Sequence, residues 1–409
     1  MAPELGYKIV LAVDWLVAGL WIWQAGVWGR MVRRVSVLPN DRSPDLDDGL
    51  GQTGGRVTLS VIVPARNEEA GIEATLHSLA ASQGAAPEII AIDDRSTDAT
   101  GAIMERFAAS LDSFPGATAA TCKVMRVTEL PKGWLGKTHA MHLAAQQARG
   151  RWLLFTDGDV LFDPQVLRRA LNYAEASRAD HLVVLPRLLI ESPGEGMMLA
   201  FLQTMTLWGF RPWRIPDPRA RRDAVGVGAF NLIRREVFDA IGGWAPMRLE
   251  VIEDMSLGFR VKRSGFAQRV AFGGDLLRIH WARGAFGVVR NFRKNVFAFF
   301  RFRPELLLAG AGGLFLMTLF PLAFLLSSAG AGAAAWLPAA LLAITVSLAY
   351  RRAGQYYGFS PFYALLFPVA AAMMIYGLIG SMCGVLWRGG VLWRGTFYPL
   401  RELRAKQSS

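Results

Sequence analysis

Cysteine is almost missing from this chain: Cys122 and Cys383 are the only two in 409 residues. Two thiols cannot make a disulfide framework or a cysteine-based zinc site, and their scarcity fits a reducing environment for the polar part of the chain. Histidine is also scarce, with five. His139 and His142 are three apart on a candidate helix, but no third ligand is close in sequence, which argues against zinc. No Walker P-loop, Gly-x-Gly-x-x-Gly or Gly-x-Ser-x-Gly occurs, so the phosphate-cradling and nucleophile-elbow signatures are excluded. There is no internal repeat. The extreme N-terminus has no basic cluster and no small-residue cleavage site, which argues against a secretory signal peptide.

What is present is hydrophobic residue, 52% of the chain, and basic residue, for a formal net charge of +12. The apolar residues concentrate near the N-terminus and after residue 304. Residues 9–28 are long enough to span roughly 30 Å of hydrocarbon, although Asp14 interrupts them. Arg30, Arg33 and Arg34 follow, and by the positive-inside rule they place the chain from residue 30 onward in the cytoplasm. Further candidate spans cover residues 306–326, 331–350 and 361–387, with Arg351 and Arg352 marking another cytoplasmic loop. Three crossings from the cytoplasm would leave the C-terminus outside. Its tail nevertheless carries Arg388, Arg394, Arg401, Arg404 and Lys406 against Glu402, so either the last segment is re-entrant or the count of spans is wrong. The arginine excess between Arg187 and Arg303, flanked by apolar segments, favours anionic lipid headgroups and a pyrophosphate over nucleic acid as partners.

The middle of the chain alternates strand and helix patterns. Residues 58–63 and 88–93 are short β-branched runs, 123–127 and 151–156 are further strands, and Ile72, Leu76 and Leu79 recur at helical spacing. Nearly all-apolar strands are those of a sheet covered on both faces, which predicts an open α/β sheet. In such sheets ligands bind beyond the carboxyl ends of the strands, where this sequence has its acids. Asp93 and Asp94 end one strand, Asp157 and Asp159 another. Two carboxylates flanking Gly158 suit a hard cation such as Mg²⁺ or Mn²⁺. Ser96, Thr97 and Asp98 supply N-cap chemistry for the next helix. That leaves Asp93 and Asp94 for a base or ribose. Lys137, in Gly133-Trp-Leu-Gly-Lys137, precedes a helix and is assigned to a phosphate. Glu253 and Asp254 open another helix, where acids suit the dipole; one of them can act as a general base.

Taken in order, these motifs resemble family 2 glycosyltransferases. They are Ser60-Val-Ile-Val-Pro-Ala-Arg-Asn-Glu68, Ile92-Asp-Asp-Arg-Ser-Thr-Asp98, Gly136-Lys137, Thr156-Asp-Gly-Asp159, Val227-Gly-Ala-Phe-Asn-Leu-Ile-Arg-Arg-Glu236 with Gly242-Gly243-Trp244, and Ile252-Glu-Asp254. The resemblance covers about residues 57–300. It implies a GT-A-like open mixed sheet with helices on both faces, plus transmembrane helices at the N- and C-terminal ends. It implies that Pro64, Arg66 and Glu68 line the nucleotide pocket, and that Asp94 or its neighbour Asp93 contacts uracil or ribose. Asp157 would face the sugar or ribose, and Asp159, with Asp157, would hold the metal. Asp254, beside Glu253, would be the base of an inverting transfer. Gln-x-x-Arg-Trp, carried by processive polysaccharide synthases of the family, is missing from residues 278–295. The region is more similar to members that glycosylate carotenoid, hopanoid or other lipid acceptors.

The expectation is therefore a multi-pass protein of the cell membrane with a cytoplasmic catalytic domain. It moves one sugar from a nucleotide-diphosphate donor, UDP-linked, to a membrane lipid. The alternatives are a polysaccharide synthase and a non-catalytic lipid-binding protein. The expected organisation is an N-terminal helix (1–34), a flexible linker (35–56), the catalytic domain (57–285), an interfacial helix (286–304), C-terminal transmembrane helices (305–387) and a basic tail (388–409).

Overall fold

The structure, a computed structural model, describes residues 2–39, 58–111, 120–327, 333–393 and 396–407. The chain forms two compact units. One comprises Met1–Arg33, Ile190–Phe210 and Trp281–Ser409; the other comprises Arg34–Leu189 and Arg211–His280. In chain order the elements are α1 (Ala2–Met31), β1 (Ser36–Val37), β2 (Leu59–Ala65), α2 (Ile72–Ala80), β3 (Glu88–Asp94), α3 (Thr100–Ser110) and β4 (Thr121–Val127). Then follow α4 (Gly136–Gln147), β5 (Trp152–Phe155), β6 (Val160–Phe162), α5 (Val166–Ala176), β7 (His181–Leu188), α6 (Pro193–Gly209), β8 (Asn231–Arg234), α7 (Arg235–Ala240), α8 (Glu253–Arg263) and β9 (Gln268–Ile279). The last are α9 (Gly284–Phe299), α10 (Pro304–Thr318), α11 (Phe320–Ser327), α12 (Ala333–Tyr357), α13 (Phe367–Arg388), β10 (Gly390–Trp393), β11 (Thr396–Pro399) and α14 (Leu400–Gln407).

The second unit is built on one mixed sheet in the order β1-β9-β7-β8-β5-β2-β3-β4, with β6 beside β9. Every residue of β2 and β3 is buried. Strand geometry sends alternate side chains to opposite faces, and the core divides accordingly. Val61, Val63, Ile89 and Ala91 pack with Leu76, Phe107 and Leu167 from α2, α3 and α5. Ile62, Ile90 and Ile92 pack with Met141, Phe238 and Leu257 from α4, α7 and α8. At about 1.5–3 kcal/mol per fully buried large aliphatic side chain, these two layers dominate the stability of the unit. The edge strand β4 is only partly buried and carries Lys123 and Arg126, which discourages edge-to-edge pairing.

The strands β4, β3, β2 and β5 run parallel, and β8 runs antiparallel to β5, with Phe155 opposite Asn231. The carboxyl ends of four strands and the segment entering β8 therefore share one edge of the sheet. Ser36 and Val37, the start of the expected linker, pair with Ala271 and Phe272 of β9. A backbone that completes a sheet edge is held by its ladder bonds, so these two residues belong to the sheet; residues 40–57 lie outside the described residues.

The expected catalytic domain, residues 57–285, is interrupted. Helix α6 belongs to the other unit, where Phe201 is fully buried and its ring lies 5.3 Å from Phe367. Among the described residues of this first unit, two helical stretches are long and apolar enough to cross a membrane, Glu4–Arg34 and Pro361–Arg388. The expected span at 306–326 is instead the pair α10 and α11, bent by 51° at the break between them. The expected span at 331–350 falls on α12, which has Pro338 inside it and ends beyond Arg351 and Arg352. The expected interfacial segment, 286–304, is occupied mainly by α9, with Phe286 and Phe299 exposed. Where it is described, the expected basic tail contains β10 paired antiparallel with β11, followed by α14. The tail returns to the start of α10, since Arg404 Nη2 donates to Phe302 O at 2.7 Å.

Two predictions follow from these contacts. Glu88 is buried at the start of β3, where its carboxylate accepts from Ser60 Oγ (2.5 Å), Arg149 N (2.8 Å) and Arg149 Nε (2.6 Å). Burial opposes ionisation, but these donors outweigh it and hold the carboxyl below its ordinary value of 4.5. The stabilisation is therefore present above 4.5 and lost as pH falls through the lower folded value. Glu88→Gln is expected to cost about 1–3 kcal/mol at pH 7, and the gap to the unsubstituted protein is expected to close in acid, measured by thermal melts across pH. Secondly, single cysteines placed at Arg303 and Arg401 in a cysteine-free background are expected to be labelled by an impermeant thiol reagent from the same side of sealed vesicles.

Candidate functional site

The loops that leave β2 and β3 are fastened to each other. Asn67 has a positive φ of 55°, as does Arg95 at 57°. The Asn67 N–H donates to Ser96 Oγ at 3.0 Å, and Thr97 N donates to Asn67 Oδ1 at 2.8 Å. Glu68 N donates to Thr100 Oγ1 at 2.8 Å, and Ala99 N to Glu69 Oε2 at 3.0 Å. Ser96 and Thr97 are thus bridging residues. The expected side-chain cap of α3 is not formed, since Ala99 holds the cap position; Asp98 Oδ1 accepts from Thr100 N at 3.0 Å just before it. Sequence reasoning missed Asn67 and Glu69 because their partners lie about thirty residues away. Asparagine's tolerance of the left-handed region was the available signal.

This clasp sets Pro64, Arg66 and Glu68 at the end of β2, in register with the end of β3, where Ala65 pairs with Asp93. The two acids of β3 then differ. Asp93 Oδ1 accepts from Ser96 N at 2.9 Å, and its Oδ2 lies 3.6 Å from Arg126 Nε, so its side chain organises its own turn. Asp94 points to the opposite face, where Oδ1 pairs with Arg95 Nε at 2.8 Å. Its Oδ2 lies against Gly136 so closely that a Cβ there would collide with it.

Lys137, the next residue, stands at the centre of the site. Its Nζ lies 2.6 Å from Asp157 Oδ1 and 2.6 Å from Glu253 Oε1. Burial pulls the ammonium down, but Asp157, Glu253 and Asp254 outweigh it and push it well above the ordinary lysine value. One cation therefore joins three acids from two distant segments. Burial and then Glu253 push the Asp254 carboxyl up to about 7. Burial, then Asp157 and Glu68, push Asp159 up to about 7 as well. Among the described residues no three His, Cys, Asp or Glu side chains are grouped as a ready metal cage.

Two glycines let the acids approach. A Cβ on Gly226 would overlap the Asp254 carbonyl, and one on Gly228 would overlap Asp157 Oδ2. The segment bearing them is held from beneath by a buried network that the sequence did not announce. Gln268 Oε1 accepts from Val225 N at 3.1 Å, and its Nε2 donates to Val225 O at 2.8 Å. The same amide lies 2.8 Å from His181 Nδ1; His181 Nε2 lies 3.1 Å from Asn231 Oδ1, and Asn231 Nδ2 donates to Val227 O at 2.8 Å. With Nδ1 accepting, the imidazole carries its proton on Nε2 and is neutral. Burial pushes His181 down to about 4. A cleft on this side is lined by Lys137, Gly228, Asn231, Trp244, Glu253 and Asp254 among others. Trp134, ahead of α4, stacks on His142 of that helix, with ring centroids 4.9 Å apart.

Gly228→Ala is expected to push Asp157 off Lys137 and destabilise the second unit by about 1–3 kcal/mol, as overpacking does. Gly209→Ala, where an added Cβ meets nothing within 4 Å, is the control that should leave the melting temperature unchanged.

Residues 60–242 match the model of glycosyl transferase family 2. A 4,4'-diaponeurosporenoate glycosyltransferase of Staphylococcus aureus (strain MRSA252) is 28% identical over 202 residues, covering 49% of this chain and 50% of that protein. Its counterpart from strain bovine RF122 / ET3-1 is 28% identical over 203 residues with the same shares. The chain thus spans about half the length of the curated relatives it matches. Among solved structures it resembles the mannosyltransferase PcManGT from Pyrobaculum calidifontis, in complex with GDP-Man and Mn²⁺, at 19% identity. That likeness has a TM-score of 0.52 and covers 93% of this chain and 99% of the other, which supports a shared fold. Residues 60–242, and the sheet they build, are thus similar to glycosyl transferase family 2.

Proposed function

We propose that this protein transfers a single sugar, with inversion, from a UDP-linked donor to a membrane lipid acceptor. The observation that carries the reading is the meeting of Lys137, Asp157, Glu253 and Asp254 at one edge of the sheet. The outermost of these residues, Lys137 and Asp254, lie more than a hundred positions apart in the chain. An acceptor hydroxyl or carboxyl must lose its proton as it attacks the anomeric carbon, and a carboxylate within reach can take it. Asp254 is assigned that role. Its raised value suits proton transfer near neutral pH, and Glu253 is held by Lys137 instead.

Asp94 is assigned to uracil or ribose, since Asp93 is engaged by Ser96 and Arg126. Pro64, Arg66 and Glu68 are assigned to the wall of the nucleotide pocket, and Asp157 to the sugar or ribose. Lys137 keeps the acids together and is assigned to the incoming pyrophosphate. The donor set also fits Mg²⁺ or Mn²⁺. Asp159 and Asp157 raise the cost of ionisation for one of them, and a hard cation that takes two carboxylates and fills its shell with water and phosphate oxygens relieves that cost. Asp159, with Asp157, would hold it. When bound, such an ion would neutralise charge on the leaving diphosphate.

The lipid acceptor is supported by the carotenoid-acid glycosyltransferases among the relatives and by the apolar helices of the first unit. We read the protein as multi-pass, with its catalytic domain cytoplasmic. The arginines after the first helix favour that side, and the return of Arg404 to Phe302 favours a re-entrant last segment over a final crossing.

Asp254→Asn is expected to lower sugar transfer by about 100-fold or more while leaving UDP binding within about twofold, measured by lipid product analysis and by calorimetry. Unchanged turnover would remove Asp254 as the base. Loss of UDP binding in an otherwise folded protein would assign it to the donor instead.

A further inference from the structure

The first unit contains a cavity of about 270 Å³ among α1, α6 and α12. Much of its wall is apolar: Trp21, Ile22 and Trp28 from α1, Trp208 from α6, Leu348 and Ala349 from α12. Trp21 and Trp208 meet edge to face in this wall, with ring centroids 5.1 Å apart. From Trp21 to Trp28 the wall rises by roughly 10 Å along the helix. Arg352 also lines it. Its guanidinium occupies the place where α1 has no side chain, since a Cβ on Gly29 would collide with Nη1.

Charge decides what such a cavity would take. Arg30 and Arg33 lie at the end of the first helical stretch, and Arg351 and Arg352 near the end of α12. The two ends are side by side, because Trp28 and Tyr356 are 5.9 Å apart. Neither residues 15–34 nor α12 contains Asp or Glu. Among the described residues Arg352 has no hydrogen bond or ion pair. A neutral ligand would leave this cluster without counter-charge. A phosphate, by contrast, accepts paired N–H bonds from a guanidinium.

We propose that the cavity seats one anionic phospholipid of the bilayer. An acyl chain lies against Trp21, Trp208 and Leu348, and the phosphate sits on Arg352. Basic pockets between membrane helices recognise acidic headgroups in this manner, and the aromatic wall favours the interfacial depth at which such a headgroup lies. This site is separate from the sugar-transfer reading and does not depend on it.

The test is native mass spectrometry of the purified full chain in detergent, titrated with phosphatidylglycerol and with phosphatidylcholine. One phosphatidylglycerol is expected to be retained in preference to phosphatidylcholine. Arg352→Gln is expected to weaken that retention about fivefold, the worth of one cation at an anionic lipid. Leu348→Trp, which adds bulk at a half-exposed position of the wall, is expected to reduce retention of both lipids. Lys8→Gln removes a cation near the start of α1 and should change nothing. Equal retention of the two lipids overturns the proposal, as does equal loss in Lys8→Gln and Arg352→Gln. A thermal melt of each variant checks folding. Should Arg352→Gln fail to fold, Gly29→Leu, which displaces the guanidinium, must give the same selective loss.

Discussion

The ion pairs of Lys137 govern the candidate site. A half-buried ammonium with carboxylates at 2.6 Å on two sides is stable only because desolvation is offset by several opposite charges at once. Remove the lysine and Asp157, Glu253 and Asp254 repel one another in a poorly solvated cleft. The position of Lys137 fixes the end of β5 relative to the start of α8, so the electrostatics and the fold are one constraint. Gly136, immediately before it, brings Asp94 into the same neighbourhood through the absence of a side chain.

The sheet supplies the rest. Parallel strands end on a common edge, and the antiparallel β8 brings its entering segment back to that edge. Val225 to Asn231 is consequently part of the site, although it contributes no acid. Its glycines give room to Asp157 and Asp254. Its ends are tied by His181, Gln268 and Asn231, whose polar atoms are satisfied by one another and by backbone. Buried polar groups of this kind are costly unless fully paired, and a fully paired network is a rigid floor.

Much of this was legible in the sequence. The apolar runs at 58–63 and 88–93 announced β2 and β3, because a strand buried on both faces has nowhere to place a polar side chain. Asp157, Asp159 and Asp254 were recognisable as site candidates because they fall at a strand end and a helix start, although acids also suit turns and first helical turns. Other features were not legible. Ser96 and Thr97 read as a helix cap, yet they serve a loop thirty residues away. The stretch at 306–326 read as one span, but α10 and α11 there form a pair bent by 51°. Helix α6 read as part of the catalytic domain and packs elsewhere.

The sequence by itself determined the alternation of strands and helices, the amphiphilic division of the chain and the identity of the acids, since all three rest on local periodicity and on the chemistry of single residues. The tertiary structure alone decided that Lys137 pairs with Asp157 and Glu253, that Asp94 and not Asp93 faces Gly136, and that Arg404 returns to Phe302. Those are contacts between segments far apart in the chain. Their energies depend on distance and desolvation, and neither quantity exists until the sheet has closed its loops into one edge.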